Sequence, residues 1–414
     1  MEEEALANAS VVGSFQHQPL DLQAASIRLV KVRPLAADGI IRCEIIHTST
    51  HADPSGLPVP GSLPPTPYTC LSYVWGPTSP SHIIMLNDKP FAVRQNLWEF
   101  LRIASSRSAR KKNVSIQWQP EVPFNFERIT AALWIDALCI DQENTSERNH
   151  QVQQMGQIFS KAQHVIAWMG RSRRLASLFQ EANITWQVTS EEKETLAERL
   201  LEFCKHEYWK RAWITQEVQL ARSVYFLAHT EAATLDSVLH VLLYKPLRVD
   251  TEDFLWLRQN VKDTLRKGTS SKLRDNLWRF RLKNCSDPRD LVYSLLAMSS
   301  DADRLQVDYD ISMVQLAQDV LQYLYGDNIC VWRVATILHV LRIHLNVDEA
   351  DTGFIEAQAL LVYRNHDRCN TCSRAIDLTY PRQRFKLGRM FVHCLRCVSN
   401  FGCTECTWTN LIPN

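Results

Sequence analysis

The chain has 414 residues, of which 45% are apolar and 22% charged, and a formal net charge of +1. This is the profile of an ordinary globular protein long enough for two or three domains, with no bulk field to steer nucleic acid or anionic lipid. No stretch is long and apolar enough to cross a bilayer: the best, residues 331–345, is broken by Arg333, His339, Arg342 and His344. The start, Met1-Glu2-Glu3-Glu4, is acidic where a secretory signal needs basic residues, so a cytoplasmic protein is expected.

Residues 1–24 lack periodicity and are expected to form a flexible tail. Residues 27–32 and 40–46 come next as two β-rich runs, and the proline- and glycine-dense stretch 53–67 reads as an exposed connection. The chain then turns strongly apolar. Residues 68–75 form a short strand ended by Gly76-Pro77, and residues 131–140 predict another, interrupted only by Asp136. Near-continuous apolar runs of this kind suit the buried centre of a parallel sheet. Val152, Met155, Ile158, Phe159 and Ala162 recur at helical spacing, and the next strand, residues 165–169, stops at Gly170. Helices are expected at 191–206 and 212–221, then a strand at 223–227. This order predicts an α/β domain with a mostly parallel sheet. Beyond residue 235 the pattern is helical, through 235–244, 253–267, 289–297 and 314–325, with further helices expected at 331–345 and around 354–363.

Three stretches carry a family pattern. The first is Tyr68-Thr69-Cys70-Leu71-Ser72-Tyr73-Val74-Trp75-Gly76. The second begins Leu133-Trp134-Ile135-Asp136-Ala137-Leu138-Cys139-Ile140-Asp141-Gln142-Glu143-Asn144 and runs through Glu147-Arg148, Gln151-Val152, Met155 and Ile158-Phe159 to Trp168-Met169-Gly170. The third is Tyr208-Trp209-Lys210-Arg211-Ala212-Trp213-Ile214-Thr215-Gln216-Glu217. In this order they resemble the blocks of heterokaryon-incompatibility (HET) domains of fungal self/nonself recognition. The segment Cys285-Ser286-Asp287-Pro288-Arg289-Asp290-Leu291-Val292-Tyr293, with Val307-Asp308-Tyr309 after it, resembles the stretch beyond the domain in many family members. The resemblance implies a doubly wound fold similar to TIR domains and a role in triggering growth arrest or cell death. The expected organisation is a tail at 1–24, the TIR-like domain at 25–235, an α-helical extension at 236–325, and at 326–414 a helical segment with a cysteine-rich end.

Some TIR domains cleave NAD, with a catalytic glutamate in a Trp-x-x-x-Glu pattern. The resemblance carries that role to Glu217, with Trp213 beside it at the same spacing. Four residues are one helical turn, so ring and carboxylate would share a face, the ring able to stack on a base or nicotinamide. Nicotinamide leaves as a neutral base, so no general acid is required. One carboxylate near the anomeric carbon suffices to stabilise an oxocarbenium-like transition state. The alternative is that Glu217 is a solvated helix residue paired with Arg211 or Arg222, and Trp213 a core anchor. Asp136, a charge within an apolar run, needs a partner if buried. With Trp75 and Gly76 it is expected at the carboxyl ends of the strands, where doubly wound folds bind ligands, so these three are candidate cofactor-binding residues. The other reading is scaffold: Asp136 bonding a backbone turn, Asp141 capping the next helix, Gly76 supplying a positive φ. Ser72 shows no base for nucleophilic work, and Cys70 and Cys139, set in apolar runs, are expected to be inert core thiols.

Six of the twelve cysteines lie in the last 46 residues, as Cys369-x-x-Cys372, Cys394-x-x-Cys397 and Cys403-x-x-Cys406. Such pairs resemble a zinc ribbon, in which each turn places two thiolates on one tetrahedral ion. The third pair either replaces one of the others or binds a second ion with His366 or His393; a redox-active cluster is the competing reading. Arg382, Arg384, Lys386, Arg389 and Arg396 allow nucleic-acid binding without arguing for it. The expected cofactor is structural zinc, with NAD a candidate substrate, and the expected partners are other incompatibility proteins or a second copy of the chain. A non-enzymatic adaptor acting by self-association is the rival to the enzyme.

Overall fold

Eleven strands and twelve α-helices occur among the residues that the computed structural model describes, which are 13–50, 66–106, 113–114, 124–184, 190–244, 252–265 and 271–325, with Leu341 and Leu345. The chain divides into two units. The larger takes in residues 1–270, 282–285 and 293–298, the smaller 271–281, 286–292 and 299–414.

The larger unit is built on a mixed sheet. Its strands are β1 (Ser26–Val32), β2 (Arg42–Ser49), β3 (Thr69–Tyr73), β4 (Ser81–Leu86), β5 (Lys89–Arg94), β8 (Leu133–Trp134), β9 (His164–Trp168), β10 (Val224–Ala228) and β11 (Glu231–Thr234), in the order β11-β10-β9-β3-β8-β1-β2-β4-β5. Two further strands, β6 (Asn113–Val114) and β7 (Phe124–Asn125), pair only with each other. The centre β10-β9-β3-β8 is parallel. β3 and β10 are buried along their whole length, which is why they carry apolar residues on both faces. Antiparallel hairpins close both edges, β4-β5 turning at Asn87 and Asp88 with φ of 49° and 60°, values that asparagine and aspartate tolerate in two-residue hairpin turns.

The helices of this unit are α1 (Gln95–Ser105), α2 (Phe126–Ile129), α3 (Asp136–Cys139), α4 (Thr145–Lys161), α5 (Arg173–Ile184), α6 (Ser190–Lys205), α7 (Ile214–Gln219), α8 (Leu235–Tyr244) and α9 (Glu252–Leu265). Residues 131–140, expected as one strand, instead give the two-residue β8 followed by the single turn α3. A helical turn buried on the core side keeps Leu138, Cys139 and Ile140 inside just as a strand would, so apolarity alone could not separate the two. Asp136 therefore starts a helix and does not interrupt a strand. Asn144, not Asp141, caps α4, its side chain accepting the Glu147 amide at 3.1 Å. The β4-β5 hairpin, α1 and α5 were not expected.

Arg28 and Glu147 tie β1 to α4. Arg28 is fully buried; its guanidinium donates to both Glu147 carboxylate oxygens at 2.5 and 2.9 Å, to the Cys139 carbonyl at 2.9 Å and to the Gln18 carbonyl. Residues 13–24 have no regular structure, as a tail would, yet they are held: Phe15 meets the Phe91 ring edge-on at 5.8 Å and His17 bonds the Leu138 carbonyl at 2.9 Å. Phe203 of α6 packs edge-on against Phe226 of β10 at 5.5 Å and Trp209 at 5.0 Å. That aromatic cluster seats the 3-10 turn Glu207–Lys210 against the sheet.

The smaller unit holds α10 (Leu273–Arg279) and α12 (Met313–Tyr325), and α11 (Asp290–Leu296) begins in it. Here Arg289 donates to the Asp287 carboxylate at 2.8 and 2.9 Å and to the carbonyls of Tyr309 and Ile311, while the Tyr309 hydroxyl donates to Asp290 at 2.5 Å. The Asp-Pro-Arg-Asp segment and the later Val-Asp-Tyr are thus one hydrogen-bonded fixture. Of residues 326–414 only Leu341 and Leu345 are described, both helical and buried; the rest of the helix expected at 331–345 and the cysteine-rich end lie outside the described residues.

Candidate functional site

The chain leaves β3 toward β4 and β8 on one side and leaves β9 toward β10 on the other. The carboxyl ends of β3 and β9 therefore flank a topological switch point, the place where open α/β sheets gather ligands. All three sequence blocks converge there. Ser72 stands next to last in β3, Asp136 lies just past β8, and the 3-10 turn with α7 brings Tyr208, Arg211 and Glu217 over the strand ends.

Glu217 is 3% exposed and accepts a hydrogen bond from the Ser72 hydroxyl, which also shares a 2.7 Å bond with the Tyr208 hydroxyl. Burial raises the Glu217 carboxyl to about 7; the Arg211 charge and the Ser72 bond oppose the rise, and the Asp136 charge adds to it. Asp136 accepts from Trp75 Nε1 at 2.7 Å, from the Ala137 amide at 2.7 Å and from the Tyr73 hydroxyl. Burial raises its carboxyl too, countered first by the Arg211 charge and then by these bonds. Arg211 thus sits in the field of both carboxylates, and its guanidinium donates to the Tyr73 carbonyl.

Gly76 adopts φ +71°, a conformation that favours glycine, and its carbonyl accepts from Arg94 at 2.7 Å. The Arg94 guanidinium lies 5.1 Å from the Trp75 ring centroid, a cation–π contact. Trp213 precedes α7, is partly buried against the core, and accepts the Glu217 amide on its carbonyl at 3.2 Å. Four of the predicted residues, Trp75, Gly76, Asp136 and Glu217, are therefore drawn into one network, and Trp213 stands one turn from Glu217.

Glu217 is not a solvated helix residue, because its carboxylate is buried and bonded. Ser72, which shows no base in the sequence, lies hydrogen-bonded to that carboxylate. Tyr208, Tyr73, Arg211 and Arg94 complete the cluster; of these the sequence offers Arg211 only as an ion partner for Glu217, and none as a site residue. The Cys70 thiol is pushed well up by burial and Cys139 up to about 12, which suits core thiols. Chemically the cluster offers a buried carboxyl poised near neutrality, a second carboxylate beside a partly buried indole, and a guanidinium whose charge acts on both. Among the described residues no group of three or more His, Cys, Asp or Glu side chains is placed to hold a metal ion; Cys369, Cys372, Cys394, Cys397, Cys403 and Cys406 lie outside them. No helix of the described residues is long and apolar enough to cross a membrane.

Comparison with known proteins agrees with the position of the blocks. Residues 68–217 match the family model for heterokaryon incompatibility protein (HET). The chain is similar to heterokaryon incompatibility protein 6, OR allele, of Neurospora crassa, with 26% identity over 146 residues, 35% of this chain and 20% of that protein. It thus spans about a fifth of that relative's length. No solved structure matches. The stretch matched by the family model, 68–217, includes the whole Ser72–Asp136–Glu217 cluster.

Proposed function

We propose that this chain acts in fungal self/nonself recognition, in the cytoplasm, and that its activation leads to growth arrest or cell death. The observation that carries this reading is the convergence of the three blocks into one charged cluster at the switch point of the sheet. For its chemistry we carry over the TIR-like reaction. NAD is the substrate, Glu217 supplies the negative charge that stabilises the oxocarbenium-like transition state, and Trp75 or Trp213 stacks on a ring with Asp136 and Gly76 beside it. Water adds at the anomeric carbon as nicotinamide leaves as a neutral base, and the proton of that water passes to solvent, so no redox partner is needed.

One observation favours a second reading. Glu217 is 3% exposed and bonded within the domain, which suits a carboxylate that holds a signalling surface together. In that case the domain acts as an adaptor by self-association or by binding another incompatibility protein. At the cysteine-rich end we propose structural zinc on Cys369, Cys372, Cys394, Cys397, Cys403 and Cys406; metal analysis of the reduced full chain against a Cys369→Ser/Cys372→Ser variant tests it, and absence of stoichiometric zinc overturns it. The role itself is tested by inducible expression in a fungal host. Arrest on induction supports it, and normal growth with folded protein accumulating overturns it.

A further inference from the structure

The Arg211 guanidinium donates to the carbonyl of Tyr73, whose hydroxyl bonds Asp136 and whose neighbour Ser72 bonds Glu217, so its charge acts on both carboxylates. Its position is fixed from a distant part of the chain. Asn284 pairs with Arg211 as an isolated parallel β-bridge: its amide donates to the Lys210 carbonyl at 2.5 Å, and its carbonyl accepts the Ala212 amide at 2.9 Å. The peptide groups on both sides of Arg211 are thereby gripped. Next to it, Lys283 reaches back, its Nζ donating to the Trp209 carbonyl at 2.6 Å and to the Thr264 hydroxyl at 2.9 Å. Burial lowers the Lys283 ammonium to about 7, opposed by the charge of Asp263; charged or neutral, the amine keeps the two N–H donors that these bonds use. Residues 282–285 belong to the larger unit although the chain on either side of them belongs to the smaller. They lie more than sixty residues beyond the family match, which ends at 217.

We propose that residues 282–285 are a strap that holds Arg211 on the Tyr73 carbonyl, where its charge serves both Asp136 and Glu217, so that the working site extends past the matched domain to include Lys283 and Asn284. The proposal rests on reading the Glu217 cluster as that site. Lys283 and Asn284 are positioning residues: they hold the backbone of 209–212, and Arg211 acts on the carboxylates.

The test is the titration of Glu217 in the full chain, read from carbon-13-labelled glutamate side chains, with Glu217→Gln identifying the signal. Asn284→Pro deletes the amide that grips Lys210, and Lys283→Met deletes the clasp on Trp209 while keeping the length of the stem. Displacing Arg211 removes a charge that lowers Glu217, so the midpoint is expected to rise by about one pH unit or more in both variants, while Lys283→Arg stays close to wild type. An unchanged midpoint in a cooperatively melting Asn284→Pro or Lys283→Met chain overturns the proposal. So does loss of folding in both while Glu217→Gln folds, because the strap would then serve the whole fold and not Arg211. Growth arrest is scored separately. If the wild type does not arrest growth the functional reading fails, whereas the titration still decides the strap.

Discussion

The hydroxyl of Ser72, in the first sequence block, donates to the carboxylate of Glu217, in the third, across 145 positions of chain. The pair ties the central strand to α7, and through Tyr208 it reaches the turn that carries Arg211. Ser72→Ala removes a bond to a buried carboxylate and leaves the Tyr208 hydroxyl without its partner in that network. The expected cost is about 1–3 kcal/mol in denaturant unfolding. Because the Ser72 bond holds the Glu217 carboxyl down, its titration should also move upward in the variant.

The pH dependence of stability is set by the same carboxyl. Glu217 is raised from 4.5 to about 7 in the folded chain, so folding takes up its proton between those values. The contribution is fully present below the unfolded value and is lost as pH rises through about 7, by at most roughly 3 kcal/mol. Asp136, also raised by burial, acts with the same sign. Wild-type stability should therefore fall relative to Glu217→Gln as pH climbs through that window. Parallel stability profiles for the two proteins would contradict a buried, raised Glu217.

Glu147 behaves in the opposite sense. Burial raises its carboxyl, but hydrogen bonds and charge from Arg28 and the Asp141 amide outweigh this and leave it lowered. Its contribution is present above the ordinary carboxylate value and is lost as pH falls through the folded one. Breaking the pair by Arg28→Met leaves a carboxylate buried without its cation, and about 3–5 kcal/mol of stability should go with it, measured by urea unfolding.

Gly156, in the second block, faces Ala297 so closely that a Cβ there would sit 2.2 Å from the Ala297 Cβ. Glycine to alanine inside a helix ordinarily gains about 1 kcal/mol. Here the overlap should reverse the sign and cost about 1–3 kcal/mol. Adding Ala297→Gly to Gly156→Ala should restore most of the loss, and failure of the double variant to recover would place the two residues apart.

Much of this architecture was legible because the central strands are buried on both faces. Residues 68–75 and 165–169 had to be apolar without alternation, and α4 announced itself through Val152, Met155, Ile158 and Phe159. α1 was not expected, although Leu97, Phe100, Leu101 and Ala104 are buried on one helical face. Nor was the β4-β5 hairpin, although Asn87-Asp88 is a pair that tolerates the positive φ its turn requires. The sequence puts Asp136 in a strand because a buried single-turn helix and a buried strand share the same apolar pattern. At the site, Trp213 and Glu217 follow from the family spacing, and Asp136, Trp75 and Gly76 from a charge in an apolar run and from the carboxyl ends of the strands. The Ser72–Glu217 bond does not, since it depends on where α7 settles over β3, and neither does the Asn284 bridge, which depends on a chain return that no local pattern encodes.

The most direct test of the central claim, that the Glu217 cluster is the working site of an incompatibility-type protein, is cellular NAD and growth after induction of wild type and Glu217→Gln at matched levels. Growth arrest with NAD loss in wild type, both absent in the variant, is the predicted result. Equal arrest by both proteins with NAD intact would contradict it and leave the domain as an adaptor.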